Sequence, residues 1–314
     1  MYENMRSILG YLAAAFCVVV WGGTFVNTSG LLEDFSSLEI MIGRFGLAWV
    51  ALWILTRRKL VRHKSSDEWL FVGMGVTGAS IYQLLENCAI YYTDAINVAI
   101  LTSVGPIFTA LLVHFLCGEK IRGKRFWMGG LLAMLGVVVV SLDGIVNFHI
   151  RPVGDLMVIA AMISWSVYSV LVKKANEKGY DHLLVIRRSF FWTIVSLMPL
   201  VFLGMTEYGW MLMDGSFSIV LDWETNVMRF SDGGNLLSFA FLGLMASAAC
   251  FVLWNVACKE LGVVKSSICI YLIPIVSILT SIIFTGDMPT LLSLLGAACI
   301  VIGVTFANFK RREI

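Results

Sequence analysis

Residues 87–119 read NCAIYYTDAINVAILTSVGPIFTALLVHFLCGE, and residues 255–287 read NVACKELGVVKSSICIYLIPIVSILTSIIFTGD. At a constant offset of 168, Asn87 meets Asn255, Ala89 meets Ala257, Pro106 meets Pro274, and Gly118-Glu119 meets Gly286-Asp287. Further out, an offset of 144 sets Trp21 on Trp165 and Arg44 on Arg188. With one residue dropped, Gly129 and Gly136 fall on Gly296 and Gly303 at the same seven-residue spacing. The jump of 24 between the two offsets is taken up by a longer connection from Gly204 to Asn235. A single such pair occurs by chance in any apolar chain, but a series that agrees in order and spacing marks an internal duplication.

The duplicated unit belongs in lipid. Of 314 residues, 59% are hydrophobic and only 14% charged, more apolar surface than a soluble domain of this size can bury. Ten apolar runs have about the 20 residues that a membrane-crossing helix needs. They are Ile8 to Thr28, Leu38 to Leu55, Leu70 to Tyr92, Ala95 to Cys117, Phe126 to Leu142, Val153 to Val172, Leu183 to Phe202, Leu236 to Cys258, Ser266 to Phe284 and Leu291 to Phe309. Little chain remains for a soluble domain. The first run is long, contains Trp21 and lacks a small-residue cleavage site, so it reads as a retained helix and not as a signal peptide.

Basic residues orient the runs. With both ends in the cytoplasm, the inner segments hold Arg6; Arg57, Arg58, Lys59, Arg62 and Lys64; Lys120, Arg122, Lys124 and Arg125; Lys173, Lys174 and Lys178; Lys259 and Lys265; and Lys310, Arg311 and Arg312. The outer segments hold only Arg151 and Arg229, while Arg44, Arg187 and Arg188 fall within runs. Eighteen against two in strict alternation follows the positive-inside rule, and losing or merging one helix would destroy it. Because five is odd, the second copy enters the membrane from the opposite side. The fold class expected is an all-α membrane protein, ten transmembrane helices as two inverted five-helix repeats (8–142 and 153–309, with a long outer loop 204–235) around a central cavity. Inverted repeats of this kind characterise secondary transporters that alternate access about a central site.

The motifs along both copies now form a series. The first copy carries Trp21-Gly22-Gly23-Thr24-Phe25, then Ala89-Ile90-Tyr91-Tyr92-Thr93, Pro106 and Gly118-Glu119. The second carries Trp165-Ser166-Val167-Tyr168, Ala257 to Gly262, Pro274 and Gly286-Asp287. In this order they resemble the EamA-like branch of the drug/metabolite transporter superfamily, over nearly the whole chain. The resemblance implies ten helices around a cavity in the inner membrane of a prokaryote, and export of amino acids or related metabolites. Asp287, where the family more often has Glu, and the length of the 204–235 connection depart from its pattern.

Several residues are candidates for the cavity. Pro106 and Pro274 sit near the middles of the fourth and ninth runs, where proline removes an amide donor and frees the carbonyls of Thr102 and Ile270. Freed backbone at that depth is tolerated only where protein or a watery cavity satisfies it, so both helices are expected to line the cavity. Glu86 is a carboxylate inside an apolar run, about six residues or ~9 Å from its outer end, and Arg44 lies at similar depth. A charge there costs roughly 2.5 to 3.5 kcal/mol on insertion scales, so an Arg44 to Glu86 ion pair is expected. That pair either locks the second and third helices or offers a charge to the substrate, with Glu86 also placed to relay a proton. Arg187 and Arg188 lie four or five residues from the cytoplasmic end of the seventh run, within snorkelling reach of the interface, with anion capture at an inner gate as the other reading. Trp21, Tyr82, Asn87, Trp165, Tyr168, Asn255 and Tyr271 have the aromatic faces and amides of an amphipathic cavity wall, although packing alone accounts for each singly.

Other features carry no chemistry. Gly73, Gly75 and Gly78, with Gly129, Gly130 and Gly136, permit close helix approach. The histidines His63, His114, His149 and His182 are scattered, and Cys17, Cys88, Cys117, Cys250, Cys258, Cys269 and Cys299 sit in apolar runs with no CxxC pair, so neither metal nor disulfide is expected. No GxxxxGK[ST] motif and no cofactor signature occur. The net charge of +2 resides in topology-setting loops, so no nucleic-acid partner is expected; the partners are a small-molecule substrate and membrane lipid, with monomer and homodimer both open. The apolar and acidic residues around Trp210, Phe217 and Trp223 suit a segment lying along the outer interface. The function expected is outward carriage of a small amphipathic metabolite such as an amino acid. A lipid-carrier flippase on the same fold is the alternative, and a membrane enzyme acting on a lipid, for which no acidic pair or nucleophile and base are present, comes third.

Overall fold

Backbone amides in hydrocarbon have no water to bond to, which leaves helices or a closed barrel, and this chain is helical. The computed structural model describes residues 2–93, 95–119, 123–142, 151–204, 227–284 and 290–308. Lys120, Arg122, His149, most of the 204–235 connection, Gly286-Asp287 and Lys310 to Arg312 lie outside them. Among the described residues there is no strand. The α-helices are α1 (Tyr2–Gly22), α2 (Thr24–Leu32), α3 (Ser37–Leu55), α4 (Glu68–Gly75), α5 (Tyr82–Tyr92), α6 (Ala95–Thr102), α7 (Gly105–Cys117) and α8 (Lys124–Ser141). They continue with α9 (Pro152–Glu177), α10 (His182–Gly204), α11 (Gly233–Ala240), α12 (Cys250–Leu261), α13 (Val263–Cys269), α14 (Ile273–Phe284) and α15 (Leu291–Asn308). A π turn, Val76–Ile81, joins α4 to α5, and a second, Phe241–Ala249, joins α11 to α12.

Among the described residues, seven helical stretches are long and apolar enough to cross a membrane: Met5–Gly22, Ser37–Leu55, Val98–Cys117, Lys124–Ser141, Pro152–Glu177, His182–Phe202 and Gly233–Leu261. Val263–Val276 and Leu291–Ala307 are shorter apolar helices, and 68–92 is helical with the π turn inside it. Leu12, Val19, Trp53, Leu55, Leu156 and Leu291 each leave more than half of their surface exposed, an outward apolar coat that lipid, not water, accommodates. The chain is a multi-pass membrane protein.

Local chemistry sets where the helices start and stop. Ser36 and Glu39 form a reciprocal capping box at the start of α3. Pro152 occupies the first turn of α9, where its missing amide costs nothing, and Asp155 accepts from the Arg151 amide. Gly118 ends α7 at φ 68° and Gly262 turns α12 into α13 at φ 86°, backbone that a residue with a Cβ adopts only under strain. Three runs that read as single helices are interrupted. Thr24 Oγ1 takes the Trp21 carbonyl at 2.7 Å, and α1 gives way to α2 at Gly23. Pro106 cannot donate to Thr102, and α6 gives way to α7 across Ser103 and Val104; the 3-10 turn Ile270–Leu272 interrupts the ninth run just before Pro274.

In the packed bundle α1 lies along α12, and α5 and α7 lie along α9. Helix α3 contacts the 241–249 π turn, α10 contacts both α3 and α4, and α13 contacts α7. The tightest seam is α8 against α15. A methyl group added at Gly136 would come within 2.6 Å of the Gly296 carbonyl, and one at Gly303 within 2.5 Å of the Ala133 amide and 2.6 Å of the Gly129 carbonyl. Glycine there lets two backbones touch, which is how helices associate without a hydrophobic driving force.

Gly136→Val and Gly303→Val should each lower the thermal midpoint in detergent by more than the ~1–3 kcal/mol of ordinary overpacking, because backbone has to move. Gly130, with open space around its Cα, provides the control: Gly130→Ala should leave the midpoint unchanged or raise it.

Candidate functional site

Five of the sequence-selected residues meet in the bundle interior. Trp21 and Trp165, at matching positions of the two copies, contact edge to face with ring centroids 5.9 Å apart. Trp165 also packs against Tyr82 and Tyr168, each at 5.1 Å. The Asn255 amide donates to the Tyr168 hydroxyl at 3.2 Å and to the Phe251 carbonyl at 2.9 Å. Phe251 and Trp254, which an apolar run gives no reason to single out, complete the cluster: Trp254 lies 5.2 Å from Trp21, and Phe251 touches Trp21, Trp165 and Tyr168. Trp165, Tyr168, Phe251, Trp254 and Asn255 are all buried. Within this cluster the indole N–H groups of Trp165 and Trp254 and the Asn255 Oδ1 have no hydrogen-bond partner. Such groups are exceptions in folded proteins, and each costs about 1–3 kcal/mol.

The π turn at 241–249 positions two of the residues. Its Ala246 carbonyl accepts from Trp21 Nε1 at 3.0 Å, and the neighbouring Ser247 Oγ accepts from Arg44 Nε at 3.0 Å. Arg44 also donates to Gln83 Oε1 at 3.0 Å and lies over the Phe45 ring. The expected ion pair with Glu86 is not formed: Glu86 Oε1 instead accepts from the Tyr82 hydroxyl at 3.0 Å. Depth along two helices placed the charges at one level; their rotation about the helix axes turns Arg44 onto neutral partners. Glu86 and Tyr82 are half-buried.

The remaining candidates lie elsewhere. Pro106 and Tyr271 line a crevice with Ile107, Phe126, Trp127, Gly130, Leu131 and Ile268 whose volume, about 10 Å³, is too small for an organic substrate. Pro274 is half-buried in α14, whose Val276 meets Gly22 of α1. Asn87 is half-buried and joins none of the cluster contacts. Arg188 pairs with Glu68, Nε to Oε1 at 2.6 Å, beside the Trp192 indole, which donates to the same oxygen. Arg62 reaches the other Glu68 oxygen. Arg188 is thus outside the aromatic cluster, at the end of the bundle that carries the basic loops. Arg187 there donates to the carbonyls of Thr56 and Arg58.

The same end holds a second link between the halves. Asp67 accepts from Lys178 and from the Tyr180 hydroxyl, and the His63 ring stacks on Tyr180 at 4.5 Å. These bonds, Lys178 first and Tyr180 second, hold the Asp67 carboxyl down at about 2. The opposite end is joined by Arg229, which pairs with Glu39 at 2.6 Å, donates to the Asp34 carbonyl and covers the Phe35 ring. Asn235 bonds Asp34 at 2.7 Å alongside. The aromatic cluster therefore lies in a bundle tied across its halves at both ends.

The sequence model of the EamA-like transporter family matches residues 8–142 and again residues 152–309. The chain belongs to this family. A "probable terminal-alkyne amino-acid exporter" of Streptantibioticus cattleyicolor is 26% identical over 307 residues, 96% of this chain and 95% of that protein. A "probable amino-acid metabolite efflux pump" of Escherichia coli is 25% identical over 301 residues, covering 95% and 94%. An uncharacterized transporter of Archaeoglobus fulgidus is 24% identical, covering 96% and 98%. A crystal structure with 19% identity superposes with a TM-score of 0.72, covering 97% of this chain and 96% of that one, and shares the fold. The EamA chain is a membrane transporter of the drug/metabolite type acting on small molecules, and its relatives are named as transporters, not enzymes.

Because its carboxyl is depressed in the folded protein, Asp67 contributes stability that is complete above the ordinary aspartate range near 4 and lost only as pH falls towards 2. Thermal unfolding of Asp67→Asn should therefore fall below that of the wild type by an amount that stays flat from pH 5 to 8. A difference that grows or vanishes within that window contradicts the assignment.

Proposed function

We propose that this EamA protein is a secondary transporter that carries a small amphipathic metabolite, an amino acid or related compound, outward by alternating access. The observation that carries the reading is the set of unpartnered polar atoms, Trp165 Nε1, Trp254 Nε1 and Asn255 Oδ1, gathered in one buried aromatic cluster between the two halves. Two donors and an acceptor among ring faces suit a ligand with both polar and apolar parts. The direction rests on the two relatives named as an exporter and an efflux pump.

The frame proposed for it is ten crossings in two inverted repeats, 8–142 and 153–309, in the inner membrane of a prokaryote with both ends cytoplasmic. The glycine seam supports this. Gly129 corresponds to Gly296 and Gly136 to Gly303, and the contacts run Gly129 to Gly303 and Gly136 to Gly296, the reciprocal pattern of a two-fold axis. Helix α1 on α12 and helix α9 on α5 form a second reciprocal set, since Trp21 matches Trp165 and Asn255 matches Asn87. The two π turns overlap as well, because Val76 to Ile81 fall on Leu244 to Ala249 at the offset of 168. Links across both ends, Arg229 to Glu39 at one and Arg188 to Glu68 at the other, are contacts that opening to either side has to break in turn.

Reconstituted in proteoliposomes, the protein should give saturable flux of an apolar amino acid such as phenylalanine or leucine. Trp254→Phe, which keeps an aromatic ring and removes the N–H, should raise the half-saturation concentration about 5- to 10-fold, the worth of one neutral hydrogen bond. Flux that never saturates, or none across a metabolite panel, refutes the carrier reading. Cysteines introduced as Glu3→Cys and Glu313→Cys should react with an impermeant maleimide from the same face of membrane vesicles; reaction from opposite faces rules out the ten-crossing frame.

A further inference from the structure

We propose that Glu86 is the seat of a primary ammonium group, so that the cargo is a protonated amine on an apolar or aromatic body, with Glu86 the residue that selects it. The inference rests on the transport reading above and specifies its substrate class.

Charge bookkeeping at the site comes first. Glu86 is a carboxylate deep in the bundle, and its described partner is a neutral hydroxyl, that of Tyr82. Arg44, the cation placed at the same depth, is buried, gives one donor to Ser247 and one to Gln83, and acts on Glu86 only through space, without a direct bond. No lysine, arginine or histidine among the described residues lies within ion-pair reach of Glu86. A carboxylate in such surroundings requires a positive partner, and Glu86, only partly buried, keeps part of its surface exposed.

The wall beside that face suits an ammonium. Glu86 is bonded to Tyr82, the Tyr82 ring lies 5.1 Å from Trp165, and Trp165 leads on to Tyr168, Phe251 and Trp254. Ring faces attract a cation within about 6 Å, and the same rings cover an apolar body. An ammonium brings three donors and no acceptor. The Glu86 carboxylate is an acceptor for one of them. A carboxylate presented at Glu86 would meet like charge.

The two copies differ where the cargo's polar end would sit. At the offset of 168, Tyr82, Gln83 and Glu86 correspond to Cys250, Phe251 and Trp254. One copy supplies a hydroxyl, an amide and an acid, and the other supplies a thiol and two rings. A site built this way has one charged end and one aromatic end, and it holds a single amine in a single orientation.

The test is calorimetric titration of the purified full-length protein with phenethylamine, phenylalanine and 3-phenylpropionate. The two amines should bind, and 3-phenylpropionate, which keeps the ring and lacks the amine, should bind at least tenfold more weakly. Glu86→Gln should weaken both amines at least tenfold and abolish the preference, while Glu86→Asp should recover part of it. Equal binding of amine and des-amino compound, undiminished amine binding by Glu86→Gln, or no amine binding overturns the proposal; if Glu86→Gln fails to fold, the wild-type comparison decides alone. Amine binding without flux in proteoliposomes refutes transport and leaves this site standing. Flux of phenylalanine and 3-phenylpropionate alike does the reverse.

Discussion

Hydrocarbon offers an amide nothing to bond with, so an interruption of a helix leaves backbone groups that a side chain has to answer. Three of the answers come from another helix. At the break before Pro106, Ser166 Oγ of α9 lies 3.4 Å from the Gly105 carbonyl and 3.1 Å from Thr109 Oγ1. At the first π turn the Gly75 carbonyl accepts from Thr193 of α10, and at the second the Ala246 carbonyl accepts from Trp21 of α1. At these three places irregular backbone couples one half to the other.

The same constraint separates packing from function. Where nothing polar remains to be satisfied, the helices close on glycine, as α8 does on α15 through Gly129, Gly136, Gly296 and Gly303. Elsewhere polar atoms remain: two indole N–H groups and an amide oxygen share one aromatic cluster, flanked by Arg44 on its neutral partners and by Glu86 on a phenol, while the Ser37 and Tyr271 hydroxyls lie outside it. Unpaired groups are costly in a low-dielectric interior, and a protein keeps several in one place where a ligand completes them. Electrostatic links lie at the two ends instead, Asp67 and Glu68 with Lys178 and Arg188 at one and Glu39 with Arg229 at the other.

Properties that act along the chain were readable from it. Hydropathy and loop charge depend on neighbours in sequence, so the apolar runs coincide with helix, and Arg188, four or five residues from a run's end, is found among the charged groups of that end as its position implies. The repeat matched Trp21 to Trp165, side-chain chemistry added Tyr168 and Asn255, and the four meet. Phe251 and Trp254 escaped notice because an aromatic residue in an apolar run carries no signal of its own.

What the sequence by itself determined is the membrane setting, the helical class and the family, because hydropathy and the order of motifs are one-dimensional. The tertiary structure alone decided which depth-matched residues touch. Rotation about a helix axis set Arg44 on Gln83 and Ser247 and left Glu86 with Tyr82, and π turns shifted the register that a regular helix would have kept. Tyr271, at a promising depth, was carried into a crevice of about 10 Å³ for the same reason: depth is written in sequence position, while azimuth is settled by what packs against what.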